Sequence, residues 1–385
     1  MRILPFLLLL GLSTAAPAAD PVRIGMITTL SGPGSHLGED VRDGFRLALA
    51  RNAGMLGSVP VELIVEDDGL KPQSGVQIAE RLNQRDGVRI MTGIIFSNVA
   101  MAVVPRVVRD GVFYISANAG PSQLAGTGCH ENYFNVAWQN DNLHEAMGQY
   151  VSDSGHDNAY ILAPNYPAGK DALAGFKRYF RGEIVNEQYT TLGQTDYAAE
   201  LAAIRAAGPQ AVFFFLPGGM GINFVKQYAQ AGLKESIPLY GPAFSFDERL
   251  LAAVGEAALG VVNSSQWNWD LDNPANRAFV EAFREAYDRT PTLYASQGYD
   301  AALLIGSALD AVDGDPGRAG DFRAALRAAD FDSVRGDFRF GPNHHPIQDI
   351  YARRVVRTDD GRITNETIGT IFTDHADAYA GECTM

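Results

Sequence analysis

The residues able to do covalent or metal chemistry are few and badly placed for it. Seven histidines and two cysteines serve 385 residues. No serine sits in a Gly-x-Ser-x-Gly elbow, and the Gly32-Pro33-Gly34 turn lacks the lysine of a phosphate loop. His344-His345 resembles a metal pair, but neighbours in an extended strand point to opposite faces and no acid accompanies them. Cys129 and Cys383 lie too far apart, and too far from any histidine cluster, to make a zinc site. Glu66, Asp67 and Asp68 fall in a turn, where hydrogen bonding is the expected role rather than acid–base work. No enzyme activity, metal or cofactor is expected.

What remains is the chemistry of recognition. Six segments share a composition of glycine, proline, small residues and aromatics. They are 29–38, which holds His36 and Leu37; 95–98, with Phe96 and Ser97; and 116–121, with Asn118-Ala119-Gly120. The others are 164–168 around Tyr166, 217–219 beginning at Pro217, and 241–246 around Phe244. Small residues let backbone N–H groups approach a ligand, and aromatic rings supply apolar walls.

Such loops need elements to hold them. A strand at 22–27, a helix over 39–52 with Val41, Phe45 and Leu49 near helical spacing, and a strand at 61–65 open the chain. A helix over 72–85 starts on proline, whose missing N–H costs nothing there. Strand 89–92, helix 97–110 and strand 112–116 complete the first alternating run. After an irregular stretch, helices at 142–154, 169–180, 197–207, 219–231 and 246–254 alternate with strands at 159–163, 183–189, 211–216 and 237–240. Helices over 274–289 and 293–311 and a strand-rich tail over 338–371 follow. Strand–helix alternation predicts an α/β protein with parallel sheets covered by helices on both faces. Two such runs predict two lobes, with ligands beyond the carboxyl ends of the strands, where the six segments lie.

Composition narrows the partners. Asp and Glu number 45 against 31 Lys and Arg, a net charge of −14, and the cations are scattered, so no basic stripe awaits a nucleic acid. Met1-Arg2, the apolar run 3–12 and small residues through Ala19 predict a signal peptide over 1–19, cleaved after Ala18 or Ala19. Export into an oxidising compartment favours a Cys129–Cys383 disulfide, the one intramolecular pairing that two cysteines allow, contributing roughly 3–5 kcal/mol.

The ordered motifs Ile24-Gly25 with Ser31-Gly32-Pro33, Val65-Glu66-Asp67-Asp68, Gly93 with Ser97, Ser116-Ala117-Asn118-Ala119, Asn165-Tyr166-x-x-Gly169, Gly241-Pro242 and Tyr299-Asp300-Ala301-Ala302 span nearly all of the exported chain. In that order the chain resembles the periplasmic solute-binding proteins of ABC importers, in the branched-chain amino-acid binding family. The resemblance implies the type I periplasmic fold, with two lobes joined by three hinge crossovers near Ala137, Gln266 and Pro342. Lobe 1 is then 20–137 with 267–342, and lobe 2 is 138–266 with 343–385. It further implies a periplasmic, monomeric protein that hands a small molecule to a membrane permease. The ligand carboxylate is expected at Ser97, as cap of its helix, and at the amides of Asn118-Ala119-Gly120.

One departure bears on the ligand. Amino-acid binders of this family hold the ammonium with an acid after the Gly-Pro of lobe 2, and here Gly241-Pro242 is followed by Ala243-Phe244-Ser245-Phe246. A buried ammonium without a counter-charge is costly. With Phe96, Trp138, Tyr166, Phe244 and Trp267 in the cleft segments, an aromatic carboxylate of benzoate, hydroxybenzoate or cinnamate type is expected. Segments 135–141 and 339–344 resemble family members that take such acids. Asp247 or Glu248 replacing the missing acid keeps a branched-chain or other amino acid open, and a sensory binding lobe shares the fold.

Overall fold

The computed structural model describes residues 20–385, so the expected signal peptide lies outside the described residues. The first sheet is laid down by β1 (Val22–Thr28), β2 (Met55–Leu56), β3 (Val59–Asp67), β4 (Ile90–Thr92), β5 (Phe113–Ser116) and β6 (Tyr133–Asn135). Between them run α1 (Ser35–Arg51), α2 (Pro72–Gln84), α3 (Ser97–Arg109) and the single turn α4 (Ser122–Ala125). Its strand order is β2-β3-β1-β4-β5-β6, parallel apart from the β2–β3 pair.

The second sheet contains β7 (Asn158–Pro164), β8 (Glu183–Thr190), β9 (Ala211–Phe214), β10 (Leu239–Pro242) and β11 (Val262–Ser265). Its helices are α5 (Asn142–Asp153), α6 (Pro167–Tyr179), α7 (Ala198–Ala207), α8 (Gly219–Gln230) and α9 (Glu248–Val254). The four residues of β9, Ala-Val-Phe-Phe, are all buried, as a strand covered on both faces requires. The chain then returns to the first half as α10 (Pro274–Tyr287), α11 (Leu293–Ala311) and α12 (Ala319–Ala328). It ends in β12 (Arg339–Phe340), β13 (Pro346–Arg357) and β14 (Ile363–His375), which join the second sheet antiparallel.

The result is the type I periplasmic fold, with three passages between the halves: after β6, after β11 and before β13. The first half is locked by α1 lying on α11, two helices that meet backbone to backbone through glycines. A Cβ on Gly44 would lie 1.9 Å from the carbonyl oxygen of Ala295, and one on Gly298 2.0 Å from that of Val41. Any side chain at either position would force the helices apart.

Several boundaries differ from expectation. Helix α1 starts at Ser35 rather than 39, which places His36 and Leu37 on its first turn instead of in a loop. Gly241-Pro242 belongs to β10, a short 3₁₀ turn covers Ala243–Ser245, and the next helix begins at Glu248. Helix α12 and strand β11 carried too little sequence periodicity to be read. His344 and His345 occupy the turn before β13 rather than a strand, and His344 stacks on Phe134 with centroids 4.0 Å apart. Cys129 and Cys383 are joined, 254 residues apart in sequence, so the tail beyond β14 is fastened to the segment between α4 and β6.

Candidate ligand-binding site

In a doubly wound sheet the loops diverge where strand order reverses, leaving a crevice beyond the carboxyl ends. In the first sheet β1 is flanked by β3 and β4, and in the second β7 is flanked by β8 and β9. The segments leaving β4, β5, β7, β9 and β10 converge there on one small cavity. Eight of the ten residues singled out from sequence line it: Leu37, Phe96, Ser97, Asn118, Ala119, Tyr166, Pro217 and Phe244. Ile95, Trp138, Asn140, His144, Ala168, Phe215 and Tyr294 complete the wall.

His36 and Gly120 stand outside it. The His36 ring lies against Gly218, where a Cβ would approach its Cε1 to 3.3 Å, and burial together with Arg249 pushes it down to about 4. The Gly120 N–H is already spent on the Asn140 side chain at 3.0 Å, and that of Ala119 on the Ile94 carbonyl at 3.3 Å. Trp267 is core, packed on Phe279 with its Nε1 donating to Asn276 at 2.8 Å.

The first half contributes donors. Ser97 is not the cap of α3; Phe96 holds that position in extended geometry, and Ser97 is the first helical residue. The amides of Ser97 and Asn98 therefore have no intrahelical acceptor, leaving positive partial charge at the cavity wall. The Ser97 hydroxyl accepts from Asn140 at 3.1 Å, so its own proton remains to be donated. Asn140 also donates to Asp171 at 2.9 Å, and Asp171 receives the Ser122 hydroxyl at 2.7 Å and its amide at 3.1 Å. Through Asn140, a cavity residue of the first half is tied to α6 of the second.

The second half contributes rings. Phe244 meets Trp138 at 4.7 Å and Phe215 at 5.4 Å between centroids, while His144 meets Phe215 at 4.9 Å. Edge-on contacts of this kind form a firm apolar wall. Burial alone pushes His144 down to about 3, so its imidazole is neutral at physiological pH. The Tyr166 and Tyr294 hydroxyls are raised by burial and stay protonated. Among the described residues, no Asp, Glu, Lys or Arg lines the cavity. Asp247 caps α9 through the Leu250 N–H at 3.0 Å, and Glu248 accepts from Thr364 at 2.8 Å and from the Asn365 amide at 3.2 Å. Neither acid is among the residues that line the cavity.

Outside the cavity, Arg249 on α9 reaches across to α1. It meets Asp40 at 2.9 Å and Glu39 at 3.0 Å. The buried Asp40 is also held from its own half by Arg289 at 2.8 Å and the Thr292 hydroxyl at 2.8 Å.

The two halves thus meet around a small cavity with an uncharged lining among the described residues. The family described as periplasmic binding protein matches residues 21–362. The chain belongs to that family. A Leu/Ile/Val-binding protein homolog of Brucella melitensis is 30% identical over 371 residues, 94% of each chain. A solute-binding protein of an R. palustris ABC transporter, solved with benzoate, superposes with TM-score 0.90 at 31% identity, covering 95% of this chain and 100% of that one. Another, from Rhodopseudomonas palustris BisB5 with 3,4-dihydroxybenzoic acid, gives TM-score 0.84 at 28% identity over 93% and 99% of the two chains. This periplasmic binding protein is accordingly the non-enzymatic, extracytoplasmic solute-binding component of an ABC transporter.

Sequence reasoning missed Asn140, His144, Phe215 and Tyr294 as wall residues of this binding protein. Phe215 follows an all-apolar strand and His144 and Tyr294 sit in the first turns of helices with buried faces, so all three read as core. The available signal was position: each stands just beyond a strand or just inside a helix start.

Proposed function

We propose that this protein captures a small aromatic carboxylate between its lobes and delivers it to the permease. The observation that carries this is the donor-rich, charge-free wall. The α3 amides, the Ser97 hydroxyl and two phenol hydroxyls offer protons to an anion, and no carboxylate offers a seat to an ammonium. Phe96, Trp138, Phe215 and Phe244 suit a ring. The solved relatives that hold benzoate and 3,4-dihydroxybenzoate support the same class.

The moving parts are 20–137 with 267–342 against 138–266 with 343–385, with β12 bonding across that division. A lone monomer, exported by its first 19 residues, binds when the lobes rotate together. Inverting a 1:99 population takes about 5.5 kcal/mol of preference for the closed form.

A thermal-shift panel tests the ligand class. Benzoate, 4-hydroxybenzoate or cinnamate at about 100 times its Kd is expected to stabilise by about 2.7 kcal/mol, a rise of several degrees, while leucine leaves the melting point unchanged. The names of the curated relatives favour leucine, isoleucine or valine instead, and stabilisation by leucine alone would establish that second reading.

A further inference from the structure

The cavity holds more hydrogen-bonding capacity than a carboxylate on the α3 end uses. His144 projects from the first turn of α5 into the aromatic wall, with Phe213, Phe215 and Phe244 at 5.8, 4.9 and 5.9 Å. A phenylalanine would complete that cluster; the sequence places an imidazole there instead. The residue is buried, its Nδ1 has no partner, and no hydrogen bond among the described residues uses its Nε2. Buried polar groups in folded proteins are paired in the great majority of cases. A neutral imidazole carries one N–H donor and one imine acceptor, the complement of a hydroxyl, which both donates and accepts.

We propose that His144 recognises a hydroxyl on the ligand's ring, so that the preferred substrates are hydroxylated aromatic acids rather than unsubstituted ones. This rests on the aromatic-acid reading above and sharpens it to a phenolic class. The carboxylate lies on the α3 side, the ring passes between Trp138, Phe215 and Phe244, and the hydroxyl meets the α5 side. The hydroxyls of Tyr166 and Tyr294, both in the wall and neither hydrogen-bonded within the described residues, stand as additional donors to the same ligand.

Calorimetric titration of wild type, His144→Phe and His144→Gln with benzoate, 3-hydroxybenzoate and 4-hydroxybenzoate tests it. Wild type is expected to bind at least one hydroxybenzoate about tenfold more tightly than benzoate. In His144→Phe that ratio falls to near one. His144→Gln, which keeps a donor and an acceptor, retains part of the preference and serves if the phenylalanine variant fails to fold. Equal binding of benzoate and both hydroxybenzoates by wild type overturns the role of His144, as does an unchanged ratio in the variants. Binding of none of the three overturns the aromatic-acid class itself, a distinct result.

Discussion

Helix α5 presents two buried polar clusters that differ in one respect. On one side, Asp141 receives Arg178 at 2.8 Å, the Tyr379 hydroxyl at 2.9 Å and Gln139 at 3.0 Å. Beside it Glu145 is bound by Arg178 and His375, and Arg178 also donates to Tyr379 at 3.1 Å. On the other side, the His144 imidazole and the Tyr166 and Tyr294 hydroxyls make no hydrogen bond among the described residues. Residues 144 and 145 are adjacent, yet one is left open and the other fully engaged. A saturated cluster is architecture, pinning the C-terminal tail and α6 to the first passage between the halves. An unsaturated one, lining a cavity, holds its hydrogen bonds in reserve for a ligand.

The contrast is most severely tested at Arg178. Replacing it by methionine removes the guanidinium that two buried carboxylates share, leaving Asp141 with Tyr379 and Gln139 and Glu145 with His375, and chemical denaturation should show a loss of about 3 kcal/mol. That is at the low end of the range for broken buried pairs, because the Arg178 side chain is 34% exposed. Affinity for 4-hydroxybenzoate should move by less than about threefold in the folded variant, since no ligand group depends on the cluster.

Acid probes the open side. The folded state holds His144 at about 3 whereas the unfolded chain holds it near its usual 6.5, so the unfolded state binds more protons between those values. The stability this contributes is whole above about pH 6.5 and declines as pH falls towards about 3. At pH 5 the cost is on the order of 2 kcal/mol. His144→Phe should therefore lose less stability than wild type between pH 7 and pH 5, measured by urea unfolding at both values; equal losses would contradict a buried neutral imidazole.

Ser97→Ala makes the smallest perturbation. Removing one hydroxyl that donates to an anion should weaken hydroxybenzoate binding by about tenfold. The melting point without ligand should barely change, because Asn140 keeps its bond to Asp171. Unchanged affinity would remove Ser97 from the site.

Much of this architecture is written locally. The alternation of apolar runs and amphipathic segments marks both sheets, helix α11 starts and stops where its pattern does, and the cysteines could pair in one way only. The wall residues on loops were legible because glycine, proline and aromatics cluster where strands end. Those inside helices were not: His144 lies between Leu143 and Met147 on a buried face, and periodicity does not distinguish a face turned to a core from one turned to a cavity. Ser97 misled by type, since serine favours the cap position, but the chain enters α3 one residue earlier. Gly120 misled for a tertiary reason, its N–H being claimed by Asn140, twenty residues on.

The arrangement around Asp40 bears on release. Its carboxylate has one cationic partner from across the cleft and one from its own side, together with the Thr292 hydroxyl. If the lobes swing apart, Arg249 withdraws into water and Asp40 keeps Arg289, so no anion is abandoned in a dry environment. The rim thus clasps without trapping, and a binder that must surrender its cargo at every cycle can reopen with little electrostatic penalty.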